Sequence, residues 1–296
     1  MRRSHASLCR SYRAAVVLDS AQRTRQRRAV IDLDAYFARI GYGGSRAPTL
    51  ATLNAVMAAH VQTIPFENLD VLLGRPIDVT LPAIEAKLVH ARRGGYCFEQ
   101  NALLLAVLSQ LGFTARPLSG RVRYQRPREF TPPRTHLFVR VELEESWLAD
   151  VGVGGLSLTS ALRLAETGPQ VTPHETRRLL REGGLIYHQV LFDDQWHDVY
   201  ELTLEEMPEI DRVVANWYTS AHPASTFRSR LTAARALPEG GRVNVLNREL
   251  ALRWRGGRSE RRVIETPDEL LGVLDEHFGL VFPAGTRFQC DALDWP

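Results

Sequence analysis

Lysine is almost missing from this chain of 296 residues. Of 37 basic residues only Lys87 is a lysine, and the rest are arginine, a bias we read as that of a GC-rich genome. Cysteine is scarce as well. Cys9, Cys97 and Cys290 are too few and too far apart for a disulfide framework, and no Cys-x-x-Cys or His-x-x-x-His pattern offers a metal site. Such usage suits a reducing cytosol. Long apolar runs are absent: no stretch approaches the roughly 18 residues of a membrane span. The body of the chain also lacks surplus positive charge. Residues 1–30 hold eight arginines and one acid, Asp19, a surplus of +7; the total is +3, so the remainder carries −4. A mildly acidic body argues against nucleic acid as partner.

The first 30 residues look foreign to the rest of the chain. They are Arg-rich and acid-poor, and apolar only from Ala14 to Leu18. A disordered tail fits, as does a start placed upstream of the true one (with Val30 read from a non-ATG codon), and so does a targeting segment. From 31 to 115 the periodicity is helical and predicts a bundle. Asp32 or Asp34 caps one helix and Thr49 the next, which carries Leu50, Leu53, Val56, Met57 and Val61 on one face. A third helix starts near Pro82 and ends in a left-handed cap at Gly94-Gly95; Cys97 opens a fourth. Residues 116–203 alternate with period two, as in "THLFVRVEL", and predict an antiparallel, barrel-like sheet. The segment "LTLEEMPEIDRVVANWY" reads as a connecting helix, bounded at 204–222. Residues 223–296 read as a small α/β piece whose helix opens with a capping box at Thr266 to Glu269. The fold class is α+β.

One stretch, "RRGGYCFEQNALLLAVLSQLGF", puts a cysteine after two glycines and at the head of an apolar helix. Unpaired N–H groups and the helix dipole favour negative charge there, hence a thiolate. The dipole supplies only about 1 kcal/mol, so a nucleophile needs a base as well. His5 lies in the tail, His60 and His90 lie on helices, and His174, His197 and His277 sit among polar residues. His222 precedes Pro223, and His188 has a weak case on a strand. His136 opens the strand "THLFVRVEL", and the next strand ends in Asp150. A three-residue loop, Leu143 to Glu145, pairs Glu142 with Ser146, opposes Phe138 to Asp150 and puts His136 diagonally beside Asp150 on one face. A two-residue loop puts them on opposite faces. The resulting set of Cys97, His136 and Asp150 suits acyl transfer through a thioester. A buried cysteine, a strand-edge histidine and a turn aspartate are the alternative.

The motifs around these residues resemble the arylamine N-acetyltransferases. "RRGGYCFEQN" is similar to that family's R-G-G-x-C-x-E-x-N segment, and "THLFV", "LADVGVGG", "IPFENLDVLLGRPI" and "SAHPASTF" match in the same order, over about residues 31 to 290. The resemblance implies a helical bundle, a β-barrel and an α/β lid around a cysteine-protease-like, transglutaminase-like core. It implies acetyl transfer from acetyl-CoA to an aromatic amine, hydroxylamine or hydrazine, without a metal. It makes Cys97 the acetylated residue, His136 the base and Asp150 its orienting acid. Phe66 and Phe227, with Phe130 more loosely, fall near the acceptor pocket, and Gly152, Gly154 and Gly155 near coenzyme A. Val153 replaces the family's usual phenylalanine and reshapes the pocket mouth. Arg92 and Arg93 are expected as solvated charges at a helix end. A hydrolase or transglutaminase-like enzyme acting on proteins has the same residue order, and a non-catalytic ligand-binding scaffold is the third possibility.

Overall fold

The computed structural model of the chain describes residues 30–295, so the Arg-rich extension and Cys9 lie outside it. Helix α1 (Leu33–Ile40) is capped by the Asp32 side chain, which accepts from the Ala35 N–H at 2.9 Å, and ends where Gly41 takes a left-handed φ of 66°. Helix α2 (Leu50–Thr63) is capped by Thr49 and buries Leu53, Val56, Met57 and Val61. It stops at Ile64, held extended by Pro65. The short strand β1 (Phe66–Glu67) and helix α3 (Leu69–Leu72) come next.

Helix α4 (Leu81–Glu85) runs on into a π turn, Ala86–His90. The expected glycine cap after it is not there: Arg92, not Gly94 or Gly95, takes the left-handed φ, at 54°. The two glycines are needed for space instead. A Cβ on Gly94 would lie 2.1 Å from the Pro65 carbonyl oxygen, and one on Gly95 would lie 2.5 Å from the Glu99 carboxylate. Helix α5 (Cys97–Gln110) begins at once, buried from Cys97 through Leu104.

Eight antiparallel strands form the nearly closed barrel: β2 (Thr114–Val122), β3 (His136–Glu142), β4 (Ser146–Ala149), β5 (Leu162–Arg163), β6 (Gln170–Val171), β7 (Thr176–Glu182), β8 (Leu185–Phe192) and β9 (Gln195–Glu206). Their spatial order is β5-β4-β3-β2-β9-β8-β7-β6. A side chain bridges the two end strands. The Gln170 amide accepts from Arg163 N–H at 2.8 Å and donates to the Arg163 carbonyl at 3.1 Å. The β8–β9 hairpin turns at Asp193-Asp194, both with positive φ, as a two-residue turn that follows strand twist requires.

The predicted connecting helix starts late. β9 continues to Glu206, which pairs with Leu118, and helix α6 (Glu209–Ala221) begins only after Pro208. Pro208 lacks an N–H for a ladder but suits a helix start. After helix α7 (Thr226–Ser229) come strands β10 (Thr232–Ala236), β11 (Arg242–Leu246), β12 (Glu249–Arg253) and β13 (Ser259–Val263), then helix α8 (Pro267–Phe278). The second sheet has the order β1-β10-β11-β12-β13. Half of the expected capping box forms on α8. Thr266 accepts from Glu269 N–H at 3.1 Å, but the Glu269 carboxylate returns to Glu265 N–H at 2.7 Å, one residue early.

Two cores result. One fills the space between the helices and the barrel; the other lies between the second sheet and α8. Strand β10 separates them. Ala233 faces the second core while Ala234 and Ala236 face the first, the period-two alternation of a strand buried on both sides.

Candidate active site

Three elements deliver the site. Cys97 is the first residue of α5, His136 the first of β3, and Asp150 comes directly after the last residue of β4. The β3–β4 register is the one a three-residue loop demands, with Glu142 opposite Ser146 and Val139 opposite Ala149. His136 and Asp150 therefore share a face, and His136 Nε2 lies 2.7 Å from Asp150 Oδ2. That leaves Nδ1 clear of the carboxylate, and the Cys97 sulfur acts on the charge of the same imidazole. The sulfur also lies 3.5 Å from the Thr135 carbonyl oxygen. All three residues are buried, yet Cys97 and His136 line an open cleft of about 1480 Å³.

Asp150 is held from every side. Its Oδ1 accepts from Asn101 Nδ2 and from Gly152 N–H, each at 2.9 Å. Asn101 also donates to the Leu137 carbonyl at 2.7 Å and accepts from Val151 N–H at 3.0 Å, so one amide joins α5 to β3 and to the segment that follows β4. The Gly152 loop sits so close to the nucleophile that a Cβ there would lie 2.8 Å from Cys97 Cα. The Tyr200 ring, on β9, stacks on Phe138 at 5.1 Å and lies 4.9 Å from the His136 ring.

Electrostatics separate this histidine from the others. Burial alone would lower the His136 pKa; the charge and hydrogen bond of Asp150, then the Cys97 sulfur, reverse this and raise it to about 10. The imidazole is therefore a cation at neutral pH. His188, fully buried nearby, goes the other way: burial and then the Arg177 charge push its pKa well below the usual value. His60 is lowered to about 4 by burial and bonded to Tyr36 and Gln100. Neither can hold a proton for the cysteine at neutral pH.

Other expected residues also reach the cleft. Phe66 and Phe227 meet edge to face at 6.0 Å, and Phe227 meets Tyr96 at 5.3 Å. Phe130 is 46% exposed at the rim, beneath the Arg126 guanidinium. Gly152, Val153, Gly154 and Gly155 form one wall. The Gly152 N–H is already taken by Asp150. A Cβ on Gly155 would lie 2.2 Å from Asn244 Oδ1. Arg93 departs from its expected solvated position: it is 14% exposed and paired with Glu67 at 2.7 Å and Asp70 at 3.1 Å. Sequence reasoning assigned no role to Asn101 or Tyr200. Asn101 had a legible signal, four residues beyond Cys97 and so on the same helix face. Tyr200 had none, because only the pairing of β9 with β2 brings it beside β3.

A family model described as N-acetyltransferase matches residues 49–286. The chain is 44% identical over 263 residues to an arylamine N-acetyltransferase of Escherichia coli K12, covering 88% of this chain and 93% of that protein. It is 40% identical over 249 residues to an arylamine N-acetyltransferase / N-hydroxyarylamine O-acetyltransferase of Salmonella typhimurium, covering 84% of this chain and 88% of the relative. It superposes on the Mycobacterium marinum arylamine N-acetyltransferase solved in complex with CoA with a TM-score of 0.81 and 38% identity, over 84% of this chain and 92% of that one. With such identity sustained over most of its length, the chain belongs to the arylamine N-acetyltransferase family.

Proposed function

We propose that the protein transfers an acetyl group from acetyl-CoA to an aromatic amine, hydroxylamine or hydrazine through a thioester on Cys97. The observation that carries this reading is the buried His136–Asp150 pair beside Cys97 at a helix N-terminus. Cationic His136 and the start of α5 both attract negative charge to the Cys97 sulfur, the charge its nucleophilic form carries. The thiolate attacks the acetyl carbonyl, and the negative charge moves to its oxygen. Among the described residues the Cys97 and Phe98 N–H groups have no partner, whereas Tyr96 N–H is taken by Glu99, so these two are available to stabilise an oxyanion. The intermediate collapses, His136 gives its proton to the departing CoA sulfur, and the acetyl group stays on Cys97. The amine then attacks the thioester carbonyl while neutral His136 accepts its proton; the C–S bond breaks, Cys97 leaves as a thiolate, and the acetylated product departs.

The cleft suits both partners. Arg126, Arg230, Arg253, Arg255 and Arg261 line it against Glu175 and Asp193, a positive balance for a phosphate-bearing donor. We assign Gly154 and Gly155 main-chain N–H groups to coenzyme A, with Gly152 allowing the close approach to Cys97. Phe66, Phe227 and Phe130 supply aromatic faces for the acceptor. A panel of aryl amines, hydroxylamines and hydrazines assayed with acetyl-CoA tests the reading. Turnover with several of them, lost in Cys97→Ser, is expected. Peptide cleavage or glutamine-directed transfer without arylamine acetylation would favour a hydrolase or transglutaminase-like activity instead.

A further inference from the structure

The chain keeps one lysine and places it behind the nucleophile. Lys87 lies in the π turn after α4, a helix irregularity often found at functional sites. Its ammonium is 2.7 Å from Glu99 Oε1 and 2.9 Å from Asp70 Oδ2, and it is 18% exposed. Glu99 is the third residue of α5, two along from Cys97, and is 1% exposed. Its other oxygen, Oε2, accepts from the Tyr96 N–H at 3.1 Å. A single buried carboxylate thus caps the nucleophile helix with one oxygen and holds the lysine with the other.

That cap brings a cost. A bare anion in the first turn would cancel the positive helix end that favours the Cys97 thiolate and the oxyanion. We infer that Lys87 is a positioning residue for acyl transfer: its charge offsets Glu99, so that the carboxylate fixes the Tyr96–Cys97 peptide while the helix terminus stays electropositive. The inference rests on the role proposed for Cys97.

The surroundings separate Glu99 from the other acid on Lys87. Asp70 is also bound by Arg75 at 3.2 Å and Arg93 at 3.1 Å, so it keeps two cations without the lysine. Among the described residues Glu99 has no cation but Lys87. Burial already raises the Glu99 pKa, and the Lys87 charge opposes that rise. Space favours lysine over the arginine used elsewhere. A compact ammonium serves two carboxylates on different elements, whereas a planar guanidinium needs a wider, flatter site. Lys87 does not line the cleft, so donor binding is not expected to depend on it.

The test is the rate of Cys97 alkylation by iodoacetamide across pH 6–9, followed by mass spectrometry, in wild type, Lys87→Met and Lys87→Met/Glu99→Gln. Glutamine keeps the cap but removes the charge. Lys87→Met should slow alkylation about tenfold at the alkaline end of the range, where the buried Glu99 is most ionised, the effect of one charge within a few ångströms. The acetylation rate should fall alongside, with the KM for acetyl-CoA unchanged. The double variant should return to within about threefold of wild type. A purely structural lysine would lower the melting temperature and leave the pH profile alone. If Lys87→Met does not fold, the double variant against Glu99→Gln decides: the unopposed Lys87 charge should make Glu99→Gln the faster to be alkylated, and equal profiles overturn the charge-offset role. A folded Lys87→Met with wild-type rates at every pH also overturns it. If wild-type Cys97 is not alkylated ahead of Cys290, and its replacement spares turnover, the role of Cys97 itself has failed instead.

Discussion

Two buried carboxylates in this protein are fixed with equal care and to opposite ends. Asp150 is held by an imidazole, an amide and a main-chain N–H. Glu175, just before β7, is held by three guanidiniums: Arg177 at 2.8 Å, Arg242 at 2.6 Å and Arg253 at 2.7 Å. Burial raises the pKa of each, and the cations around each win, so both end below their ordinary values. The partners make the difference. Arginine does not release its proton in the working range, so Glu175 is a static clasp between the barrel and the second sheet. Imidazole does release one, so the charge beside Asp150 can follow a reaction at Cys97 while the carboxylate stays ionised. The same physical device gives a rivet in one place and a reactive centre in the other.

The largest effect expected is on activity. Asp150→Asn keeps the shape but removes the charge that makes His136 a cation, and acetyl transfer should fall about a thousandfold or more. Initial rates and the melting curve check this together: the rate should collapse while the fold persists. Next comes stability. Glu175→Gln strands three guanidiniums, two of them buried, and should cost about 3–5 kcal/mol. Urea unfolding measures it, and turnover of the molecules still folded should change far less than in Asp150→Asn. A smaller effect separates the two sites by pH. The folded pKa of His136, about 10, lies above its ordinary 6.5. Its stabilising contribution is therefore complete below about pH 6.5 and is lost as pH rises through about 10. The lowered carboxylates contribute above their ordinary pKa and lose that contribution only in acid. Melting temperatures at pH 6.5 and 10 should thus converge in His136→Gln relative to wild type.

The same contrast explains what the sequence could tell. The candidate site was legible because its parts are local. A cysteine at a helix start, a histidine at a strand start and an aspartate one hairpin away are tied by a turn length and a register. The clasp was not legible. Arg177, Arg242 and Arg253 are three among many arginines, and only sheet topology brings them to Glu175. Arg93 was misjudged for a related reason: a charge at a helix end looks solvated until Glu67 and Asp70, more than twenty residues earlier, fold against it. The late start of α6 was readable from Pro208 and the alternation of "LTLEE", but the helical pattern of "EIDRVVANWY" masked it.

The central claim is that the acetyl group rests on Cys97 between two half-reactions. Incubating the protein with acetyl-CoA and no amine, then digesting it and measuring masses, tests this directly. The account predicts a gain of about 42 Da on the peptide holding Cys97, removed when an arylamine is added, as a covalent acyl-enzyme requires. No adduct at Cys97, together with intersecting rather than parallel double-reciprocal lines, would contradict it and place the transfer in a ternary complex.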